Sequence, residues 1–200
     1  MYNWRKMKPQ ERERALKERK VYRRPWHSPP HFEYEGEKDF ILTAACFEHK
    51  PIIGATSRRM IECEEGILKV CALVNAILYA WCVLPNHYHF LIRTERIKEV
   101  LRLIGQFHGS SSFRWNGEDE FRGRKVWYRC VERSMRSQRH FYATLNYIHN
   151  NPVKHGYVET WQEWPYSSAV DFLEEVGRDR AKEIWTEYPV LDYGAEWDRD

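Results

Sequence analysis

His87 and His89 stand one residue apart in Pro85-Asn86-His87-Tyr88-His89-Phe90-Leu91-Ile92. Side chains alternate along a strand, so both imidazoles leave the same face and can reach one divalent ion. Tyr88, Phe90 and Ile92 then face the other way and pack. A chain with nine histidines also yields such a pair by chance, and the motif alone leaves that reading open. The second chemically suggestive segment runs from Phe141 to Val153. On a helix Phe141, Leu145 and Ile148 make an apolar stripe, and His140, Thr144, Tyr147 and Asn151 make a neighbouring one. Tyr147 and Asn151 lie one turn apart and point the same way, so a phenol can serve as nucleophile beside a carboxamide metal ligand. The alternative is that Tyr147 is an amphipathic rim residue and Asn151 a helix stop before Pro152. Two other tyrosines compete as nucleophile. Tyr142 falls about 140° around the helix from Tyr147, and Tyr88 points away from the histidine face.

The elements that must position these groups follow from periodicity. Asp39–Phe47 reads as a strand and Thr56–Ala72 as a helix. Ile77–Val83 and His87–Arg93 form a hairpin through Leu84-Pro85-Asn86. Glu95–Phe107 reads as a second helix, with a polar stretch from Gly109 to Arg124 behind it. Val126–Val131 reads as a fourth strand, and Gln138 to Asn150 as a helix ending at Asn151-Pro152. The order is that of an α+β, ferredoxin-like split βαβ fold: an antiparallel sheet with helices on one face. An N-terminal arm and a C-terminal extension flank it. The expected organisation is a basic arm at 1–30, a catalytic domain at 31–155, and an extension at 156–200 packing on the core.

Charge is unevenly spread. Residues 1–24 hold ten Lys and Arg against three acids, residues 121–140 seven against one, and residues 171–200 four against ten. Two basic segments suit a polyanion, because neutralising phosphates releases counterions without reading sequence. The candidate contacts are Arg23 and Arg24 in the arm, with Arg122, Arg124, Lys125, Arg129, Arg133 and Arg136 in the second segment. There Trp127 and Tyr128 are interleaved and can stack on bases. Solvated surface is the competing account of both segments. Five cysteines without CxxC spacing argue against a zinc knuckle and a disulfide framework. No apolar run reaches the ~20 residues of a membrane span, so the expected location is the cytoplasm, at the nucleoid.

Four segments resemble one family: ILTAACFEHKPIIG (Ile41–Gly54), WCVLPNHYHFLI (Trp81–Ile92), YIHNNPVKHGYVETWQEWPYSSA (Tyr147–Ala169) and, more loosely, YPVLDYG (Tyr188–Gly194). The chain resembles the IS200-like, REP-associated tyrosine transposases of the HUH endonuclease superfamily. The resemblance implies that His87, His89 and Asn151 hold Mg²⁺ or Mn²⁺ and that Tyr147 is the nucleophile. It implies single-stranded DNA hairpins, REP-like palindromes, as substrates and a monomer or homodimer as the working form. Tyr88 departs mildly from the hydrophobic residue usual between the histidines. The rival expectation is a catalytically silent protein that binds hairpins. A zinc deaminase is set aside, since the Pro-Cys-x-x-Cys that its signature requires is absent.

Overall fold

The computed structural model describes residues 36–191 and Tyr193, with Lys8, Gln10, Glu11, Glu13, Arg14 and Lys17 of the N-terminal segment. Arg23 and Arg24 lie outside the described residues. The chain divides into two units, and Gly36–Tyr193 carries the sheet and the candidate site. Its elements run β1 (Lys38–Ala45), α1 (Ser57–Leu73), β2 (Ile77–Val83), β3 (His87–Thr94), α2 (Ile97–Glu118), β4 (Val131–Ser134), α3 (Gln138–Lys154), α4 (Ala169–Val176) and α5 (Arg178–Glu187). The sheet order is β2-β3-β1-β4, and every pairing is antiparallel. This is the split βαβ arrangement the periodicity predicts.

β3 is central and nearly all of it is buried, because both of its faces are covered. α1 and α2 cover one face. Tyr88 Oη lies 2.8 Å from His108 Nε2 on α2, and Trp81 on β2 donates to Glu64 on α1. α3 covers the opposite face, bringing Tyr147 over His89 and Phe141 against Tyr79 of β2. Two helices thus share one face as read from sequence, and the tyrosine helix occupies the other. A strand enclosed on both sides loses its polar alternation. The two histidines are therefore buried polar groups in an apolar element.

Three boundaries differ from the periodic reading. α2 continues through the polar stretch to Glu118, because Ser111, Trp115 and Asn116 pack inward and outweigh the weak helix propensity of Gly109 and Ser110. The β4 ladder forms at Val131–Ser134, whereas Val126–Val131 was expected. Earlier in that stretch Trp127 makes only an isolated bridge with Cys46. An edge strand needs less apolar surface than a central one, so the polar Val-Glu-Arg-Ser can supply it. α3 runs past Asn151-Pro152 to Lys154. Pro152 lacks one N–H in the last turn, a local loss that packing absorbs. Asn151 is consequently inside the helix, in register with Tyr147, and does not stop it.

Caps define the start of two helices. Thr56 accepts from Arg59 N at α1, and Ser137 accepts from His140 N at α3. Beyond α3 the chain returns to the edge strand β2. Val83 N donates to Tyr166 O, Ser168 N donates to Trp81 O, and Trp164 Nε1 donates to Val83 O. Asn146 of α3 donates to the Ile184 and Tyr188 carbonyls. The described part of 156–191 therefore packs on the sheet edge and on α3.

Candidate active site

His87 and His89 point from β3 toward α3, their ring centroids 5.0 Å apart. Each Nδ1 is engaged by a neighbour. His87 Nδ1 is 2.7 Å from Asn86 Oδ1, and the Asn86 amide is oriented by donating from Nδ2 to His49 O. His89 Nδ1 is 2.7 Å from Thr43 Oγ1, on the residue directly opposite it in β1. Holding Nδ1 fixes each ring and turns its Nε2 toward α3, as the hydrogen-bond partners of metal-binding histidines do.

The Nε2 atoms meet α3. His87 Nε2 lies 3.0 Å from Asn151 Oδ1, and Tyr147 Oη lies 3.4 Å from His89 Nε2. Asn86 Oδ1 can only accept, so His87 carries a proton on Nδ1. Its Nε2 and the Asn151 side-chain amide, 3.0 Å apart, form a hydrogen-bonded pair that offers two ligand atoms to a cation. Asn151 Nδ2, on the same amide, is buried without a hydrogen-bond partner. The donor set of two imidazole nitrogens and one amide oxygen fits a divalent ion of borderline to hard character. Among the described residues no group of three or more His, Cys, Asp or Glu side chains can hold a metal ion. Any site here depends on the amide.

All four side chains are buried: His87 is 3% exposed, Tyr147 1%, and His89 and Asn151 0%. Tyr193 packs edge-on to the Tyr147 ring at 5.6 Å, and Lys154 places its ammonium 5.1 Å from the same ring. Tyr193 Oη is held by Thr144 Oγ1 at 2.6 Å and His140 Nε2 at 2.9 Å. Burial, with the Arg133 and Arg136 guanidinium groups nearby, lowers the His140 pKa. The competing tyrosines are elsewhere. Tyr142 stacks on Tyr188 at 5.0 Å, and Tyr88 is sunk among α2 residues, its pKa pushed far up by burial.

The basic segment divides. Arg122 donates to Phe113 O, and Arg124 pairs with Asp119 and Asn116, so both brace the end of α2. Arg133 pairs in register with Ile41 of β1, which puts it on the histidine face; Lys125 lies over Phe47 and Tyr128. Arg129 and Arg136 are exposed. Trp127 stacks flat on His108 at 4.2 Å and is core, leaving Tyr128 as the half-exposed ring.

Sequence reasoning missed Thr43 and Asn86, which orient the histidines, and His155, whose ring lies 5.0 Å from that of His87. His155 continues the Tyr147–Asn151 spacing by four residues. That signal was hidden by ending the helix too early. Thr43 had no local signal, because only the β1–β3 register brings it to His89.

Among known proteins, the family model described as "Transposase IS200 like" matches residues 48–151. A Haemophilus influenzae protein named as a REP-associated tyrosine transposase is 30% identical, the match covering 56% of this chain and 68% of that protein. The REP-associated tyrosine transposase of Escherichia coli K12 is 28% identical, over 58% of this chain and 66% of that one. A solved REP-associated tyrosine transposase, bound to a REP hairpin, superposes with a TM-score of 0.52 at 22% identity, covering 82% of this chain and 86% of that one.

Proposed function

Because the chain belongs to the IS200-like transposases, in their REP-associated tyrosine group, we propose that it cuts and rejoins single-stranded DNA at hairpins, with Tyr147 as nucleophile. The observation that carries this reading is the convergence of His87 Nε2, His89 Nε2, Asn151 Oδ1 and Tyr147 Oη in one buried cluster. In the reaction the Tyr147 oxygen attacks phosphorus and loses its proton. The P–O3′ bond breaks, the 3′-hydroxyl leaves with a proton, and Tyr147 keeps the 5′-phosphate. The phosphotyrosine diester preserves the bond energy, so a 3′-hydroxyl of another strand can reverse the step and complete a transfer. His87, His89 and Asn151 would hold Mg²⁺ or Mn²⁺, which supplies charge compensation on the phosphate oxygens. Thr43 and Asn86 orient the two imidazoles through Nδ1.

Hairpin DNA is the substrate proposed here, since the solved relative is bound to a REP hairpin and two basic segments lie in this chain. The protein would act at the nucleoid. Among the described residues no helix is long and apolar enough to cross a membrane.

The test is a labelled single-stranded hairpin DNA incubated with the chain and Mn²⁺, followed by denaturing electrophoresis. Wild type should give a protein–DNA adduct, and Tyr147→Phe should give none while keeping hairpin binding. An adduct in that variant, or a nucleotide mapped to another tyrosine, would overturn the assignment. Hairpin binding by wild type with no adduct at all would mark a silent binding protein.

A further inference from the structure

One surface cluster beside the site is not absorbed by this mechanism. Cys46 and Trp127 form a bridge, and Trp127 points into the α2 side, stacked on His108. Alternation then turns Phe47 and Tyr128, the next residues of each segment, toward the opposite face. That is the face of His87 and His89. Their half-exposed rings lie 5.1 Å apart at 48°, with the Lys125 ammonium 4.5 Å from one and 5.3 Å from the other.

Backbone bonds tie this cluster to the site. Tyr128 N donates to Ala45 O at 2.8 Å, and Ala45 pairs directly with His87. Tyr128 is therefore two strand spacings from His87, roughly 10 Å. Between Phe47 and the site, Glu48 and His49 adopt φ values of 57° and 51°. Neither is glycine, and such backbone persists only when its surroundings impose it. His49 O accepts from Asn86, the residue that orients His87. The strained turn thus holds Phe47 on one side and the histidine's partner on the other.

We infer that Phe47 and Tyr128 form a stacking cradle for one unpaired base beside the scissile phosphate, with Lys125 taking the adjoining phosphate. The inference rests on the nuclease reading for its ligand, single-stranded DNA. Aromatic faces accept any base, so such a cradle supplies affinity and position without reading sequence. With no DNA bound the ammonium rests over the rings. A base stacking on their exposed faces displaces it to the phosphate that follows.

The experiment uses the full chain and two fluorescein-labelled probes, dT12 and an all-abasic 12-mer of the same charge, with binding followed by anisotropy in the absence of divalent metal. Wild type should favour dT12. The Phe47→Leu/Tyr128→Leu variant keeps apolar bulk and should lose about 5- to 150-fold on dT12, with little change on the abasic probe. Tyr128→Phe should retain the preference. Lys125→Gln should weaken both probes and lower the salt slope by about 0.7. The cradle is overturned if wild type does not discriminate the probes, if the double Leu variant binds dT12 as wild type does, or if it loses both probes equally. Because no metal or cleavage is involved, a chain that passes this test yet forms no Tyr147 adduct would refute the catalytic reading and leave the cradle standing.

Discussion

Replacing Thr43 with valine removes one hydroxyl and keeps the side-chain shape, which isolates the contact that orients His89. The Thr43 Oγ1 to His89 Nδ1 distance is 2.7 Å, and His89 is fully buried. The buried Nδ1 left without its partner cannot find water, so the metal-free protein should lose about 1–3 kcal/mol. The ring also loses the partner that sets its tautomer, and such changes typically weaken a metal site about 10- to 100-fold, or about 1.4–2.7 kcal/mol. The two effects separate by assay. Denaturation without metal reads the first, and calorimetric titration with Mn²⁺ reads the second. At Mn²⁺ a hundred times the wild-type Kd, metal should stabilise wild type by about 2.7 kcal/mol and a thirtyfold-weaker variant by about 0.9 kcal/mol. Thr43→Ser should restore most of both. A valine variant with lowered metal-free stability and unchanged Mn²⁺ affinity would refute the reasoning, leaving Thr43 a structural partner of a core histidine.

Gly54→Ala should cost about 1–3 kcal/mol by urea denaturation, because the new Cβ would stand 2.4 Å from Pro85 Cβ and 2.9 Å from its Cα. Pro85 precedes Asn86, so Mn²⁺ affinity should fall as well, and a variant as stable as wild type would contradict the close approach. His108 has its pKa lowered by burial from 6.5 to about 3, so the folded chain stays unprotonated where the unfolded chain takes up a proton. Its contribution to stability is complete above pH 6.5 and is lost as pH falls from 6.5 toward 3, at about 1.4 kcal/mol per unit. Urea midpoints between pH 7 and 4.5 should decline less steeply for His108→Gln, and equal slopes would show that His108 does not carry this dependence.

Local spacing made much of the fold legible. The Ile77–Val83 strand and the start of β3 fall where short apolar, β-prone runs place them, and the element order alone predicts the antiparallel split βαβ sheet. The pairing of His87 with His89 follows from a period of two, and that of Tyr147 with Asn151 from a turn of helix. These relations need only one element each, so the chain states them locally. Gly54 illustrates the other kind. In sequence it reads as a turn residue, and only the packed structure shows Pro85 against its missing side chain. Which ring can meet a base was likewise invisible: Trp127 and Tyr128 are adjacent and chemically alike, and a single bridge to Cys46 sends one into the core and the other toward the histidines.

The tertiary structure alone decided which face α3 covers, that Asn151 stays helical past the expected stop, and that Thr43 and Asn86 set the imidazoles. Each depends on contacts between residues far apart in the chain, such as Thr43 with His89 and His87 with Asn151. Strand register and helix docking create those contacts by burying apolar surface over whole elements. No local pattern of residue types carries that information, because the free energy that selects the register is shared among many side chains and resides in none of the polar groups it brings together.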